Sequence, residues 1–363
     1  GDETYAFIDT VRDIAQSYYP DGAVYVAGDS TNEYDFEKSF AVANTVVSIL
    51  SVLIVLVVLL VTIGVIMVFS SSYARAYYKE GNSTYYFARQ AIFTVLGIGV
   101  MLFVSRINYQ LWRSVSFLVL AGTIFFLLLV PIFGTEEGGA KRWIWIGFTS
   151  FQPSEMAKVA IVMTFATLMS TYREKMQTFR YGVLPYAFIL VVIGGLVAVE
   201  PHLSGAILIL GAGAAMMLVG GINWAWVGAA AGAAVGLVYV ALFVIGYNTS
   251  RVTYWLNPWA DDPLDKGYQL RQSLITIGSG GLWGLGLGKS RQKFLFLPEE
   301  HNDFIFSIVC EELGLIGAGI IMLLFAALVL RGYWIALHCR DRFGTLLVVG
   351  FTTLMAVQVL LNI

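Results

Sequence analysis

The sequence predicts an all-α polytopic membrane protein, and both its composition and the spacing of its charges support this fold class. The 363 residues are 58% hydrophobic and 13% charged, whereas a soluble domain carries about 25% charged residues. Uncharged stretches of about 18 residues or more are typical of bilayer spans. Such stretches lie between Lys38 and Arg75, Arg113 and Glu136, Arg180 and Glu200, and Glu200 and Arg251. The net charge of −2 excludes nucleic-acid binding driven by bulk positive charge.

Nine membrane-spanning helices are predicted from these apolar stretches. They lie near residues 46–70, 88–105, 115–133, 154–170, 182–199, 203–220, 224–246, 304–330 and 344–362. The uncharged stretch after Glu200 is too long for a single span, and Gly220, Gly221 and Asn223 predict a tight turn within it. A large external loop, residues 247–303, separates the seventh and eighth helices.

The loops between the helices predict which helix ends face the cytoplasm, because Lys and Arg in short loops favour that side. These residues concentrate in three alternating loops, at Arg106 and Arg113, at Arg173, Lys175 and Arg180, and at Arg331, Arg340 and Arg342. We therefore expect the alternate loops, residues 71–87, 134–153, 200–202 and 247–303, to face outside.

The start of the chain fits this pattern poorly. Residues 1–38 carry nine acidic and two basic groups. The uncharged run that follows, residues 39–74, would be about 54 Å long as one helix, against a bilayer core of about 30 Å. Residues 1 to about 58 loosely resemble the end of an external domain and the following helix in RND/MMPL-type exporters. Two interpretations stay open, a divergent N-terminal extension or a join made by gene fusion or sequence assembly. We treat residues 1–45 as an acidic extension and 46–363 as the transmembrane domain.

Polar groups in or beside membrane spans are costly, so they mark candidate functional residues. The first group places Lys141, Arg142 and Trp143 shortly before Glu155 and Lys158 at the start of the fourth helix. Glu155 and Lys158 are three residues apart and share a helix face. One interpretation is interfacial anchoring with a structural ion pair. The other is that the basic residues bind a phosphate group.

Two further groups lie in predicted outer loops. In the short turn Glu200-Pro201-His202, no second histidine lies at ligand spacing, so the sequence does not indicate a zinc site. The long external loop contains Arg271 and the glycine-rich segment 278–288. For that segment, close backbone approach or a re-entrant turn is favoured over a dinucleotide-binding fingerprint.

The last group lies where the external loop meets the eighth helix. It contains His301 and Asp303, and Glu311 and Glu312 follow roughly 12 Å deeper along the helix. An acidic residue stabilises a helix start, so capping alone could explain Asp303. Capping cannot explain the two glutamates, which require partners at that depth.

Together these segments resemble the SEDS family of polytopic cell-wall polymerases, which includes the FtsW, RodA and SpoVE proteins, over about residues 59–363. The motifs that agree in order and spacing are Gly139-Ala140-Lys141-Arg142-Trp143, Phe151-Gln152-Pro153-Ser154-Glu155, Glu200-Pro201-His202-Leu203-Ser204-Gly205, Gly267-Tyr268-Gln269, and Leu297-Pro298-Glu299 through Asp303-Phe304-Ile305-Phe306. The run Asn257-Pro258-Trp259 is more similar to FtsW than to RodA, and Asn302 stands where the family usually has threonine. Family members have ten helices, so the resemblance implies a C-terminally truncated chain that lacks the last one.

The resemblance implies a peptidoglycan glycosyltransferase that polymerises lipid II into glycan strands during cell division. Its catalytic carboxylate would be Asp303, acting as general base on the acceptor hydroxyl. The leaving lipid pyrophosphate needs positive charge rather than a second acid. Candidate residues for binding it are Lys141, Arg142, Trp143, Lys158 and Arg271, and candidate supporting residues are Glu155, Glu200, His202, His301, Glu311 and Glu312. Lys158 could instead pair with Asp303 and hold it ionised.

The resemblance also implies a location and partners. The protein would lie in the bacterial cytoplasmic (inner) membrane with its active site on the outer face, beside a class B penicillin-binding transpeptidase and other divisome proteins. No cofactor is assigned and no metal site is expected, although a divalent cation, Mg²⁺ or Mn²⁺, stays open. Two alternatives are a lipid II flippase, since buried charges and glycine-rich helices suit a transporter, and a non-catalytic divisome scaffold.

Overall fold

The computed structural model describes residues 2–18, 28–137, 140–146, 149–200, 203–239, 254–259 and 267–363. The chain divides into two compact units, Gly1–Leu59 and Leu60–Ile363. In the first unit, α1 (Asp2–Tyr18) is joined to the start of α2 (Asp29–Glu80) by an ion pair. The Arg12 guanidinium donates to both carboxylate oxygens of Asp35, at 2.8 and 2.7 Å.

Helix α2 corrects the bounds of the first predicted span. We expected a helix over residues 46–70, whereas the helix observed is Asp29–Glu80, with Val52–Glu80 long and apolar enough to cross a membrane. Glutamate and lysine are good helix formers, so the charged residues before position 39 do not end the helix. The boundary between the acidic extension and the transmembrane domain, at residues 45/46, stays a prediction.

The larger unit continues with nine further α-helices whose full bounds are described. They are α3 (Tyr85–Ser105), α4 (Gln110–Phe133), α5 (Pro153–Thr171), α6 (Leu184–Val199), α7 (Leu203–Gly220), α8 (Trp224–Tyr239), α9 (Tyr268–Ser279), α10 (Ile305–Leu337) and α11 (Arg342–Asn362). Within the described residues, all of these except α9, together with α2, overlap the predicted spans. Six of the helical segments found there are long and apolar enough to cross a membrane. The protein is an all-α polytopic membrane protein.

Helix α5 lies at the centre of the larger hydrophobic core. It packs against α4, α7 and α11, and its Ile161 and Phe165 are almost completely buried. Its Thr167 donates to the hydroxyl of Ser116 on α4 at 3.1 Å. A helix surrounded by protein can keep such polar side chains, because neighbouring helices supply their partners. This explains why α5 is less apolar than α3, which has no buried residue.

A small sheet and a short helix lie in segments predicted as outer loops. Three short antiparallel strands, β1 (Thr135–Glu137), β2 (Ala140–Ile146) and β3 (Thr149–Phe151), form a sheet in the order β1-β2-β3. The alternating tryptophan and isoleucine residues of β2 suit a strand. Helix α9 lies in the long external loop and packs against α10, with a hydrogen bond of 2.8 Å between the hydroxyls of Ser273 and Ser307.

The contacts between loops divide the helix ends into two groups, and these are the two groups that the charge pattern predicted. At one end, the basic end (residues 106–113, 171–181, 220–223 and 331–342), the Tyr109 hydroxyl donates to the Asp341 carboxylate, and Arg342 donates to the Gly220 carbonyl at 2.7 Å. The opposite end, the site end, comprises the described residues 71–87, 134–137, 140–146, 149–153, 200 and 297–303. There Arg75 forms ion pairs with the segment before α10. Loops predicted to share a side therefore lie at the same end.

Candidate active site

Asp303 lies on a tight turn immediately before α10, and its side chain is exposed. Helix α10 begins at Ile305 with Phe304 at its N-cap, and no side-chain hydrogen bond caps it. Capping therefore does not explain Asp303, and that interpretation is wrong. Among the residues that the structure describes, no hydrogen bond or ion pair engages the Asp303 carboxylate. It is available to a molecule that approaches from outside the protein.

Glu299 holds the backbone of this turn. Its carbonyl oxygen accepts hydrogen bonds from the amides of Asn302 and Phe304 at 3.1 and 3.3 Å, and these residues flank Asp303. Its carboxylate accepts a further bond from the side-chain amide of Asn302 at 3.1 Å. Glu299 has a φ of 53°, a left-handed conformation that is uncommon outside glycine. Together the bonds maintain this conformation and fix the backbone on both sides of Asp303.

Arg75 fastens the same turn to α2. Its Nη1 donates to Glu299 at 3.0 Å and its Nε donates to Glu300 at 2.9 Å. The side chains of Arg75 and Glu300 are 10% and 0% exposed. Burial acts to raise the pKa of Glu299, but the charge of Arg75 and the hydrogen bonds from Asn302 and Arg75 together outweigh burial, so the pKa is lowered. Removing Arg75 would leave a buried carboxylate unpaired, which is strongly destabilising.

His301 packs beside this turn as a neutral aromatic group. Its ring lies against Tyr86, with ring centroids 4.7 Å apart, and its Nδ1 is buried with no hydrogen-bond partner among the described residues. Burial and the positive charge of Arg75 both lower the pKa of His301. The imidazole is therefore neutral at neutral pH and supplies no positive charge to an anionic ligand.

Glu311 and Glu312, which the sequence showed to need partners, are buried on α10 and engaged by the preceding loop. Glu312 accepts from Lys293 Nζ at 3.1 Å and from the Ser70 hydroxyl of α2 at 2.7 Å. They hold the loop against α2 and α10, which is a structural role. The other donors are the amides of Gly288 and Ser290 to Glu312, and the Ser290 hydroxyl and Arg291 amide to Glu311.

The glycine-rich segment lies along a kink in α10. Gly314 interrupts the helix with a φ of 69°, and the amide of Leu285 donates to the carbonyl of Glu311 at 2.9 Å. A Cβ on Gly314 would collide with the backbone of Gly284. This is the close backbone approach predicted from the sequence. A dinucleotide fingerprint needs a preceding strand, whereas here helix α9 precedes the glycines.

Lys158 is buried at the start of α5 and engaged by neighbouring side chains. Its Nζ lies 2.6 Å from the Glu155 carboxylate and donates to the side chain of Gln358 at 3.2 Å. The predicted shared face of Glu155 and Lys158 is thus confirmed. The alternative pairing of Lys158 with Asp303 is not the one that the structure contains.

A cavity of about 550 Å³ lies between α5, α10 and α11, with Lys158 in its wall. Most of its lining is apolar, and includes Phe306, Phe325 and Phe351. Ile305 also lines it, and Ile305 follows Asp303 by two residues. The cavity therefore combines apolar surface with one cation, Lys158, and its ion-pair partner Glu155, which also lines it.

Arg142 and Glu200 are a second polar pair at the site end. Lys141 and Arg142 are neighbours on β2, so their side chains point to opposite faces, and Lys141 is registered opposite Glu136 of β1. Glu200 is 2% exposed, and both its carboxylate oxygens lack hydrogen-bond partners among the described residues. Burial raises the pKa of Glu200 to about 7, against the opposing charge of Arg142. The adjacent cations Lys141 and Arg142 thus do not form one joint site.

The three other predicted site residues provide less. Trp143 lies on β2 opposite Thr135 of β1, and its backbone carbonyl accepts a hydrogen bond from the Thr135 hydroxyl at 3.2 Å. His202 lies outside the described residues. Arg271 is buried at 6% exposure on α9, where it takes part in contacts within the protein. It is therefore not an open cation on the surface of the site.

Sequence reasoning missed Arg75, Ser70 and Lys293 as contributors to this site. Arg75 is the first charged residue after the long uncharged run 39–74, and such a position is a signal that could have singled it out. Its partner Glu300 lies 225 residues away. A single sequence gives no indication of a contact at that separation.

Comparisons with known proteins are consistent across sequence and structure. The model of the FtsW/RodA/SpoVE family, described as "Cell cycle protein", matches residues 50–363. A protein of Geobacter sulfurreducens named "Probable peptidoglycan glycosyltransferase FtsW" is 38% identical over 302 residues, covering 82% of this chain and 80% of that protein. "Stage V sporulation protein E" of Bacillus subtilis is 39% identical over 309 residues, covering 83% of each.

Solved structures share the fold. One, described as "Structural coordination of polymerization and crosslinking by a peptidoglycan synthase complex", matches with a TM-score of 0.70 and 25% identity, over 85% of this chain and 84% of that chain. The crystal structure of the Rod shape determining protein RodA of Thermus thermophilus matches with a TM-score of 0.61 and 23% identity, over 85% of this chain and 82% of that one.

Proposed function

Because the chain belongs to the FtsW/RodA/SpoVE family of cell cycle proteins, we propose that it is a peptidoglycan glycosyltransferase that polymerises lipid II during cell division. The names of its relatives support this enzyme class. The observation that carries the proposal is the exposed, unpaired carboxylate of Asp303 on a turn held by Glu299 and Arg75. A base held in one geometry avoids the cost of orienting it in each catalytic cycle.

In the proposed reaction, a sugar hydroxyl of the acceptor attacks the anomeric carbon of the donor. A new oxygen–carbon bond forms, the bond from that carbon to the lipid pyrophosphate breaks, and the hydroxyl proton passes to Asp303 as general base. The leaving pyrophosphate is already anionic, so it requires positive charge rather than a paired acid. The single exposed carboxylate at the start of α10 suits this chemistry.

Lys158 is the cation best situated for the pyrophosphate. It lies in the wall of the cavity that Ile305 also lines, and Ile305 is two residues after Asp303. The partner of Lys158, Glu155, is half-exposed. The apolar lining of the same cavity suits a lipid tail or the apolar part of the substrate. Arg142 is the second candidate, since Glu200 interacts with it only electrostatically.

A resident metal site is not part of this proposal. The described residues contain no group of three or more His, Cys, Asp or Glu side chains that could hold a metal ion. We propose that any Mg²⁺ or Mn²⁺ used in the reaction would enter with the substrate pyrophosphate. An EDTA titration of the polymerisation assay, with each ion added back, tests this.

The setting of the enzyme is part of the same proposal. The basic end would face the cytoplasm, because its loops carry the excess of Lys and Arg, and the site end would face outward. The match to a peptidoglycan synthase complex supports a class B penicillin-binding transpeptidase as partner, with other divisome proteins around the pair.

The test is polymerisation of purified lipid II by the full chain together with the partner transpeptidase. We expect glycan strands from the parent and at least a 100-fold loss of rate in Asp303→Asn, which removes the base. Glu136→Gln is the matched control, because Glu136 is also an exposed carboxylate at the site end. It should retain the parent rate.

The outcome of this assay discriminates between the glycosyltransferase, the transporter and the scaffold. Polymer from Asp303→Asn at the parent rate would overturn the assignment of the base. Absence of polymer from folded parent protein, with lipid II crossing proteoliposome membranes, would favour the transporter. Loss of polymer in Asp303→Asn alone supports the glycosyltransferase and excludes the scaffold.

A further inference from the structure

The turn that carries Asp303 is connected to α2 by a continuous series of polar contacts. Arg75 Nη1 donates to Glu299 Oε1 at 3.0 Å, and Glu299 Oε2 accepts from Asn302 Nδ2 at 3.1 Å. Asn302 is the residue before Asp303, and its amide also donates to the Glu299 carbonyl at 3.1 Å. The position of the Asp303 backbone therefore depends on where Arg75 holds Glu299.

A second set of contacts joins α2 to the same turn and to α10. Arg75 Nε donates to the buried Glu300 at 2.9 Å. Five residues earlier on α2, Ser70 donates to Glu312, which also binds Lys293 of the loop. Helix α2 thus contacts both the turn before α10 and the buried part of α10 through polar groups. An anchorage of this kind leaves the intervening turn little freedom to move.

We propose that Arg75 and Glu299 are positioning residues for Asp303, with Glu299 orienting the turn and Arg75 orienting Glu299 while balancing the negative charge beside Asp303. The inference rests on the proposed role of Asp303 as the base. Neither residue touches substrate in this scheme, and both act through the geometry and the potential at one carboxylate.

The charged and titratable groups around this carboxylate come from two parts of the chain. The turn itself contributes Glu299, Glu300 and His301, and His301 interacts electrostatically with Asp303. The end of α2 and the start of α3 contribute Arg75, Lys79, Glu80 and Tyr86, which act on the same cluster. Arg75 is the cation that directly pairs with the two glutamates.

Two substitutions are expected to change the pH profile of polymerisation in opposite directions. In Arg75→Gln, the turn loses a positive charge, so the acidic limb of kcat/KM moves up by about one pH unit. In Glu299→Gln, the turn loses a negative charge, so that limb moves down by a similar amount. In both variants kcat falls by about tenfold or more, because the turn loses a polar contact that orients it.

Arg75→Lys separates charge from geometry. Lysine keeps the positive charge but cannot bridge two carboxylates with a planar fork of donors. We expect its pH limb to stay near that of the parent while its kcat falls. Arg342→Gln is the control for loss of an arginine charge away from the turn, since Arg342 lies at the basic end, where it donates to the Gly220 carbonyl. It should leave the pH limb unchanged.

The experiment measures kcat, KM and the pH dependence of lipid II polymerisation by folded full-length variants with the partner transpeptidase, alongside Asp303→Asn. Opposite shifts in Arg75→Gln and Glu299→Gln support the inference. Unshifted limbs with Asp303→Asn inactive would overturn it and leave the proposed function intact. Activity in Asp303→Asn would instead overturn the proposed base. If Arg75→Gln fails to fold, Glu299→Gln and Arg75→Lys decide the question alone.

Discussion

Two carboxylates at the site end, Asp303 and Glu200, have opposite surroundings. Asp303 is exposed and has no hydrogen-bond or ion-pair partner among the described residues, whereas Glu200 is 2% exposed beside Arg142. Their positions in the sequence look alike, since each lies at the junction of a loop and an apolar helix. Only the packing distinguishes a carboxylate open to solvent from one that is buried and has a raised pKa.

Glu200 should make the stability of the protein depend on pH. Its pKa is raised from 4.5 to about 7 by burial, so the folded protein retains a proton that the unfolded chain has lost between these values. The resulting stabilisation is fully present below pH 4.5 and is lost as the pH rises through about 7. We expect Glu200→Gln to abolish this contribution, worth at most a few kcal/mol, and to be more stable than the parent at about pH 8.

The measurement is the thermal midpoint in detergent across this pH range, for the parent, Glu200→Gln and Glu136→Gln. The exposed Glu136 serves as the control and should reproduce the parent curve. A Glu200→Gln curve parallel to that of the parent would show that Glu200 does not hold the proton.

At the scale of elements, the kink in α10 determines how the glycine-rich segment fits. Gly314→Ala should lower the free energy of unfolding by about 2 kcal/mol or more, because the new Cβ meets the backbone of Gly284 at a φ that alanine disfavours. Gly319→Ala is the matched control on the same helix, since a Cβ there meets no atom within 4 Å. It should be neutral or stabilising, by up to about 1 kcal/mol.

The comparison of thermal midpoints in detergent tests this, and an equal loss in both variants would contradict it. The two glycines are five residues apart in one apolar helix. Any difference between them therefore reflects the local backbone rather than general helix propensity.

Elements that depend on local pattern were predictable, and those that depend on distant contacts were not. The turn between α7 and α8 follows from its residues: Gly221 has a φ of 88°, and the side chain of Asn223 accepts from the amide of Ala225 at 2.9 Å. The ion pair of Glu155 with Lys158 follows from helical spacing. Helix α9 was missed because a polar, half-buried helix lacks the apolar signal that identifies spans.

At the scale of the whole molecule, the alternation of loops between two ends was predictable from charge alone. The contacts of α2 with the turn before α10 and with α10 itself were not predictable, because the partners of Arg75 and Ser70 lie 225 and 242 residues away. The nine apolar segments therefore indicated the membrane bundle, while the arrangement around Asp303 required the tertiary structure.

The native cysteines allow a test of orientation. Cys339 lies half-exposed at the basic end, and Cys310 is buried in α10. A membrane-impermeant maleimide should leave the parent unlabelled in intact cells and label Cys339 after permeabilisation. Burial raises the pKa of Cys339, and the thiolate is the reactive form, so labelling is done at about pH 8.5.

Glu136→Cys provides the opposite case, since Glu136 is exposed at the site end, and this variant should be labelled in intact cells. Labelling of Cys339 in intact cells, or protection of the thiol introduced by Glu136→Cys, would reverse the proposed orientation.

The contacts between α2 and the turn before α10 also determine when the turn can fold during biosynthesis. The ribosome adds roughly 5–20 residues per second, so the 225 residues between Arg75 and Glu300 take about 10 to 45 s to synthesise. During that interval the first long apolar helix of the larger unit enters the membrane with its terminal arginine still lacking Glu299 and Glu300. The turn that carries Asp303 can therefore acquire its geometry only late in biosynthesis, and until then the candidate active site is not assembled in the nascent chain.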